Sequence, residues 1–137
     1  MGHEVGLHGY DHVKWHDRLN RLSRREIAEQ VERAIRIYKG ILGVRPESFA
    51  GPSWHSTAQS LDLLNQEGFT YSSDTRGVSA FFPETGGVRV PLLQIPTTLP
   101  TMDEMLGIDG LDVQGFYKMI ISRLRRNLLN VLTVTAR

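Results

Sequence analysis

Cysteine is absent from this chain of 137 residues, so a disulfide framework, a thiolate metal cage and a cysteine nucleophile are all excluded. No run of apolar residues approaches the roughly 18 needed to cross a bilayer, and no basic stretch followed by an apolar one opens the sequence as a secretory leader would. Excess charge is lacking too: 16 Lys and Arg stand against 15 Asp and Glu. Such a balance argues against duplex DNA or any other nucleic acid as partner. The expectation is a single cytosol-facing domain spanning residues 1–137, large enough to bury a modest core.

What the sequence does hold is histidine in a patterned place. His8 and His12 stand four residues apart, with Asp11 between them. On a helical turn, residues so spaced face the same way. Two neutral imidazoles held together grip a divalent metal ion, provided a third ligand comes from elsewhere.

Strand-like and helix-like segments alternate. Glu4–His8 reads as a short strand, followed by a polar loop from Gly9 to Leu22. Ser23-Arg24-Arg25-Glu26 is a capping box. It opens a helix with Ile27, Val31, Ala34, Ile35, Tyr38 and Ile41 on one stripe, ended by Gly43. Residues 47–50 predict a strand, and Gly51-Pro52-Ser53-Trp54-His55 a turn. Ser56 or Thr57 caps a second helix that Gly68 stops. A strand is expected at Phe69–Ser73, then an irregular loop to about Arg89, a strand at Leu92–Thr97, a helix near Asp112–Asn127 and a last strand at Val131–Thr135. Alternation of this kind predicts parallel β/α units. The sequence ends at Arg137, right after this last strand and where a functional loop is expected in β/α folds, which is the first reason to expect a truncated domain.

The stretch from His3 to His12 resembles the metal-binding motif of the polysaccharide deacetylase family, the NodB-like carbohydrate esterases. The resemblance continues through Phe49-Ala50-Gly51-Pro52-Ser53-Trp54, Tyr71-Ser72-Ser73-Asp74-Thr75-Arg76-Gly77, and Gln94-Ile95-Pro96-Thr97-Thr98-Leu99-Pro100-Thr101-Met102-Asp103-Glu104. The last of these is similar to a subgroup that removes the formyl group of a lipid-linked 4-formamido-arabinose. The resemblance implies an α/β fold, a partial and distorted NodB-type (β/α) barrel. Family members open with an aspartate pair and close with a histidine, neither of which this sequence supplies. His55 stands where relatives usually carry arginine. The chain is therefore expected to be a fragment lacking the first and last elements of the barrel.

By the same resemblance, His8 and His12 are metal ligands, for zinc or for cobalt, nickel or iron. Asp74 and His55 are the candidate catalytic side chains, and Trp54, Tyr10 and Arg76 the candidate substrate-binding ones. Each has a plainer alternative. Asp11 is either a carboxylate orienting a ligand histidine or a turn former. His55 is a donor to the substrate or an ordinary turn residue. Asp74 and Arg76 border a site as an ion pair or make a loop salt bridge of small value. Trp54 and Tyr10 line a sugar pocket or pack at its rim. Arg123, Arg125 and Arg126 meet anionic lipid headgroups or sit on a solvated helix face.

The implied activity is metal-dependent hydrolysis of a carbohydrate amide: deformylation or deacetylation of an amino sugar, polyprenyl-phosphate-linked, in lipid A modification. The implied place is the cytoplasmic face of the inner membrane, with peripheral membrane contact. A catalytically inactive fragment that binds sugar or metal weakly is the competing expectation. A partial barrel also exposes strand edges, which predicts a marginal chain or a homo-oligomer.

Overall fold

The computed structural model describes residues 2–126 and 128–134. These divide into two compact units, Met1–Thr75 with Ala80–Ile95, and Arg76–Ser79 with Pro96–Arg137.

In the first unit, helix α1 runs His12–Arg18, a short 3-10 turn follows at Leu19–Arg21, and helix α2 runs Arg24–Leu42. Strand β1 is Ser48–Phe49, a 3-10 turn spans Pro52–Trp54, helix α3 is Ala58–Gln66, and strand β2 is Tyr71–Ser72. A hairpin of β3 (Glu84–Thr85) and β4 (Val88–Arg89) precedes β5 (Leu93–Gln94). Strands β1, β2 and β5 form a parallel sheet in that order. Leu7 adds a single parallel bridge on the outer side of β1, opposite Phe49. This is the α/β arrangement that the alternating pattern predicts.

The capping box forms as expected. Ser23 accepts from the Glu26 backbone, and Glu26 reaches back to the Ser23 N–H at 2.9 Å. The apolar stripe of α2 then buries Ile27, Val31, Ala34 and Ile35, and Gly43 ends the helix with φ 71°. Thr57 caps α3, and Leu61, Leu63 and Leu64 face inward. Trp15 and Phe49 complete the core, their rings 5.1 Å apart.

Three local expectations are corrected. The segment Gly9–Leu22 is not a plain loop. Asp11 caps α1 by accepting from the Lys14 N–H at 2.9 Å, and Trp15 and Leu19, four residues apart, anchor it in the core. The stretch before Arg89 is not irregular throughout. Gly86 and Gly87 both take positive φ, which fits a two-residue hairpin turn whose twist suits the flanking strands. Glu4–His8 pairs at Leu7 alone rather than as a full strand.

In the second unit, helix α4 covers Met102–Met105 and helix α5 covers Val113–Leu124, capped by Asp112. Phe116 and Ile120 bury one face of α5 against Leu99. The strand expected at Val131–Thr135 is not regular over its described part, Val131–Val134. Val131 exchanges hydrogen bonds with the Thr98 backbone and hydroxyl at 3.1 and 2.9 Å. Thr135 and Asn127 lie outside the described residues.

Candidate functional site

The site in the first unit is built where the Leu7 bridge runs into α1. Leu7 donates its N–H to the Ser48 carbonyl at 2.9 Å and accepts from the Ala50 N–H at 2.8 Å, which fixes the chain just before His8. The His8 Nδ1 then donates to the Ala50 carbonyl at 2.8 Å. A carbonyl oxygen only accepts, so the proton sits on Nδ1 and Nε2 keeps its lone pair. His12 is the first residue of α1, and its ring centre lies 5.2 Å from that of His8, tilted by 58°.

That spacing tests the pair as metal ligands. A zinc–nitrogen bond of about 2.0–2.1 Å, with about 1 Å more to the ring centre, puts two imidazole centres roughly 5 Å apart at a tetrahedral angle. His8 and His12 fit two corners of such a site, and the Nδ1–carbonyl bond of His8 is the kind of partner that orients a ligating histidine. Among the described residues no cluster of three His, Cys, Asp or Glu side chains forms, so the set is a pair and not a complete cage. Asp11 is tied to α1 as its cap.

Behind the pair lies Asp74, just past β2 and only 2% exposed. Its Oδ1 accepts from the Gly51 N–H at 2.5 Å, and among the described residues its Oδ2 has no hydrogen-bond partner. The Gln94 side chain bridges the region, accepting from the Asp74 N–H at 3.1 Å and donating to the Ser72 hydroxyl at 2.5 Å. Burial pushes the Asp74 carboxyl above the ordinary carboxylate range. Hydrogen bonds from Ser72, Gly51 and Gln94 pull the other way. Asp74 therefore clamps the start of the Gly51–His55 turn. Gly51 is required there for space: a Cβ would meet the His55 carbonyl at 2.7 Å and the Asp74 Oδ1 at 2.8 Å.

The turn places Trp54 half-buried and His55 exposed, with Ser53 and Trp54 both at positive φ. His55 is held at three points. Its carbonyl accepts from the Trp15 Nε1 at 3.0 Å, its N–H donates to the Pro52 carbonyl at 3.1 Å, and its Nδ1 donates to the His16 carbonyl at 2.7 Å. Tyr10 is exposed under the Arg33 guanidinium, 5.5 Å away, and lines an apolar groove with Val5, Ile37 and Ile41. Arg76 belongs to the second unit, where both of its terminal nitrogens meet Glu104 at 3.0 and 3.1 Å. The first unit thus brings together His8, His12, Asp74 and the Trp54–His55 turn through β1 and α1. Sequence reasoning missed the residues that make this possible: Trp15, Gly51, Ser72 and Gln94. Trp15, four residues before Leu19, carries the one periodic signal that could have revealed α1.

The family model described as polysaccharide deacetylase matches residues 1–72. The chain is 35% identical over 135 residues to a protein of Shewanella sediminis named probable 4-deoxy-4-formamido-L-arabinose-phosphoundecaprenol deformylase. It is 34% identical over 136 residues to a protein of the same name from Wigglesworthia glossinidia brevipalpis. Each alignment takes in 98% of this chain but only 43% and 47% of those proteins, so the chain spans less than half the length of these curated relatives. Among solved structures it is similar to a probable polysaccharide deacetylase from Pseudomonas aeruginosa PAO1 (TM-score 0.67, 23% identity, 90% of this chain and 41% of that one). It is also similar to a PuuE allantoinase (TM-score 0.66, 24% identity, 90% and 40%). These likenesses bear out the NodB-type fold, of which the chain represents a part. With more than half of its residues matched by the family model, the chain belongs to the polysaccharide deacetylase family.

Proposed function

We propose that this chain carries the histidine half of a metal-dependent carbohydrate amide hydrolase, and that its substrate is a polyprenyl-phosphate-linked 4-formamido-arabinose. The observation that carries the reading is the His8–His12 pair, at the separation one tetrahedral ion requires, in a chain whose 34–35% identical relatives bear a deformylase name. His8 and His12 would hold the ion, zinc by preference. When bound, it would polarise the amide carbonyl and lower the pKa of a water molecule.

The remaining roles fall to the residues themselves. The Ala50 carbonyl keeps the His8 ring in one tautomer, with Nε2 free to ligate. Asp74 acts as a positioning residue, holding Gly51 and with it the turn that presents Trp54 and His55. Trp54 supplies an aromatic surface for the sugar ring. A lipid-linked substrate is met at a bilayer, and α5 supports that contact. Val113, Tyr117, Ile121 and Leu124 form an exposed apolar stripe on it. From Val113 onward the sequence has basic residues and no acidic one. No helix among the described residues is long and apolar enough to cross a membrane.

The two-ligand set favours a second reading, a chain that binds metal and sugar without turnover. One assay separates them: formate release from a lipid-linked 4-formamido sugar by the chain with zinc, beside His8→Ala. Release that the substitution abolishes supports the hydrolase. Zinc binding without release supports the second reading.

A further inference from the structure

Leu7 spends both of its backbone groups on β1, donating to the Ser48 carbonyl and accepting from the Ala50 N–H. Alternation along an extended chain then turns the N–H and C=O groups of Gly6 and His8 to the opposite side. Among the described residues nothing pairs with them, so residues 6–8 form the open edge of the β1–β2–β5 sheet. An open edge is a template for one more strand.

Apolar surface runs along this edge. Helix α2 lies beside it: the Tyr38 hydroxyl donates to the Val5 carbonyl at 2.6 Å, and the Arg33 guanidinium sits over the Tyr10 ring. Those two contacts show that helix and edge run in opposite directions, and they set Gly6 level with Ile37. Val5, Ile37, Ile41 and Val44 are 52, 51, 75 and 58% exposed. With Tyr10 and Leu42 they surround the groove between helix and edge. A patch of this kind marks an interaction surface. Gly40 shares the exposed flank of α2 with Ile37, Ile41 and Val44. A Cβ there would meet nothing within 4 Å, so the single chain has no packing need for a glycine that weakens the helix interior.

We propose that a second copy of this chain covers this surface, related by a two-fold axis that passes by Gly6 and Ile37. The two edges pair antiparallel and join the sheets of both chains. The two α2 helices cross over the seam, and Gly40 lets them approach closely. A two-fold interface has to be complementary to itself. Both layers meet that condition, because an antiparallel edge pairs with its own copy and an apolar stripe packs on an apolar stripe. One axis serves both layers because Gly6 and Ile37 stand at one level. Charge does not oppose the contact: Arg36 and Lys39 line a separate polar recess of α2 with Glu32 and Glu67. The homo-oligomer expected from an exposed sheet edge thereby acquires a defined surface, and nothing in the argument uses the deacetylase reading.

The test is sedimentation velocity of the full chain in the presence of a chelator, so that no metal ion bridges two copies. The expected result is a dimer that dissociates in the micromolar range. Ile41→Glu sets two carboxylates close to the axis and should weaken the dimer at least tenfold while the circular dichroism spectrum stays unchanged. Because the chain has no cysteine, Ile37→Cys supplies a second readout. A short bis-maleimide should link two copies through it and should not link Arg25→Cys, which lies near the other end of α2. A chain that stays monomeric up to its solubility limit overturns the proposal, as does a dimer indifferent to Ile41→Glu. Linkage through Arg25→Cys equal to that through Ile37→Cys also overturns it. Should Ile41→Glu lose its helical spectrum, the linkage comparison alone decides.

Discussion

Trp15 is the residue on which the first unit's site depends most heavily. Its ring is 1% exposed, lies 5.1 Å from the Phe49 ring at a tilt of 49°, and donates to the His55 carbonyl at 3.0 Å. Trp15→Phe keeps the aromatic contact and loses the indole N–H. One net hydrogen bond is worth about 0.5–1.5 kcal/mol, and leaving a partly buried carbonyl unpaired adds to that. The expected cost is about 1–3 kcal/mol. Trp15→Ala removes the ring too and leaves a cavity, for about 3–5 kcal/mol in total. The larger change should also free α1, which carries His12, so zinc affinity should drop with stability. Urea unfolding followed by circular dichroism gives the first number, and a zinc titration of the still-folded fraction gives the second. A Trp15→Ala chain destabilised by less than about 1 kcal/mol, with zinc affinity intact, would refute the view that this ring ties α1 to the turn.

Gly51→Ala should cost as much as a serious core error, because the added methyl meets the His55 backbone at 2.7 Å and cannot displace it cheaply; a melting temperature within about 2 °C of the parent would contradict the packing. Ser23→Ala should cost about 1 kcal/mol through loss of the α2 cap, read by denaturant midpoint. The backbone and side chain of Ser23 hold the Glu26 carboxyl below its usual value. A lowered carboxylate contributes stability above its unfolded pKa and loses it as pH falls through the folded one. Glu26→Gln should therefore differ from the parent at neutral pH and converge with it once acid has protonated the carboxyl, and a gap that persists after that protonation would count against the cap.

Helices α2 and α3 were legible because their signals are local: Ser23 with Glu26, Thr57 with Ser60, and an inward stripe ended by glycine. Helix α1 was not, since within it only Trp15 faces the core, Leu19 follows just past its end, and Lys14, His16, Asp17 and Arg18 read as loop. The hairpin was written in Thr85-Gly86-Gly87-Val88, a two-residue turn signal hidden by the polar run around it. Strands β1, β2 and β5 were legible in place but not in length, because regular pairing covers two residues in each. Of the site, the spacing of His8 and His12 was visible. The burial of Asp74 was not, since it depends on Gly51 and Gln94, which are 23 and 20 positions away. Hydrogen bonds that select the tautomer of His8 and His55 likewise join segments that only the folded chain brings together.

The account's central claim is that His8 and His12 act as one ligand pair. Calorimetric titration of zinc into the chain reads their binding directly. The account predicts one zinc bound per chain, with His8→Ala and His12→Ala each weakening it at least tenfold. Zinc binding that neither substitution changes would contradict it.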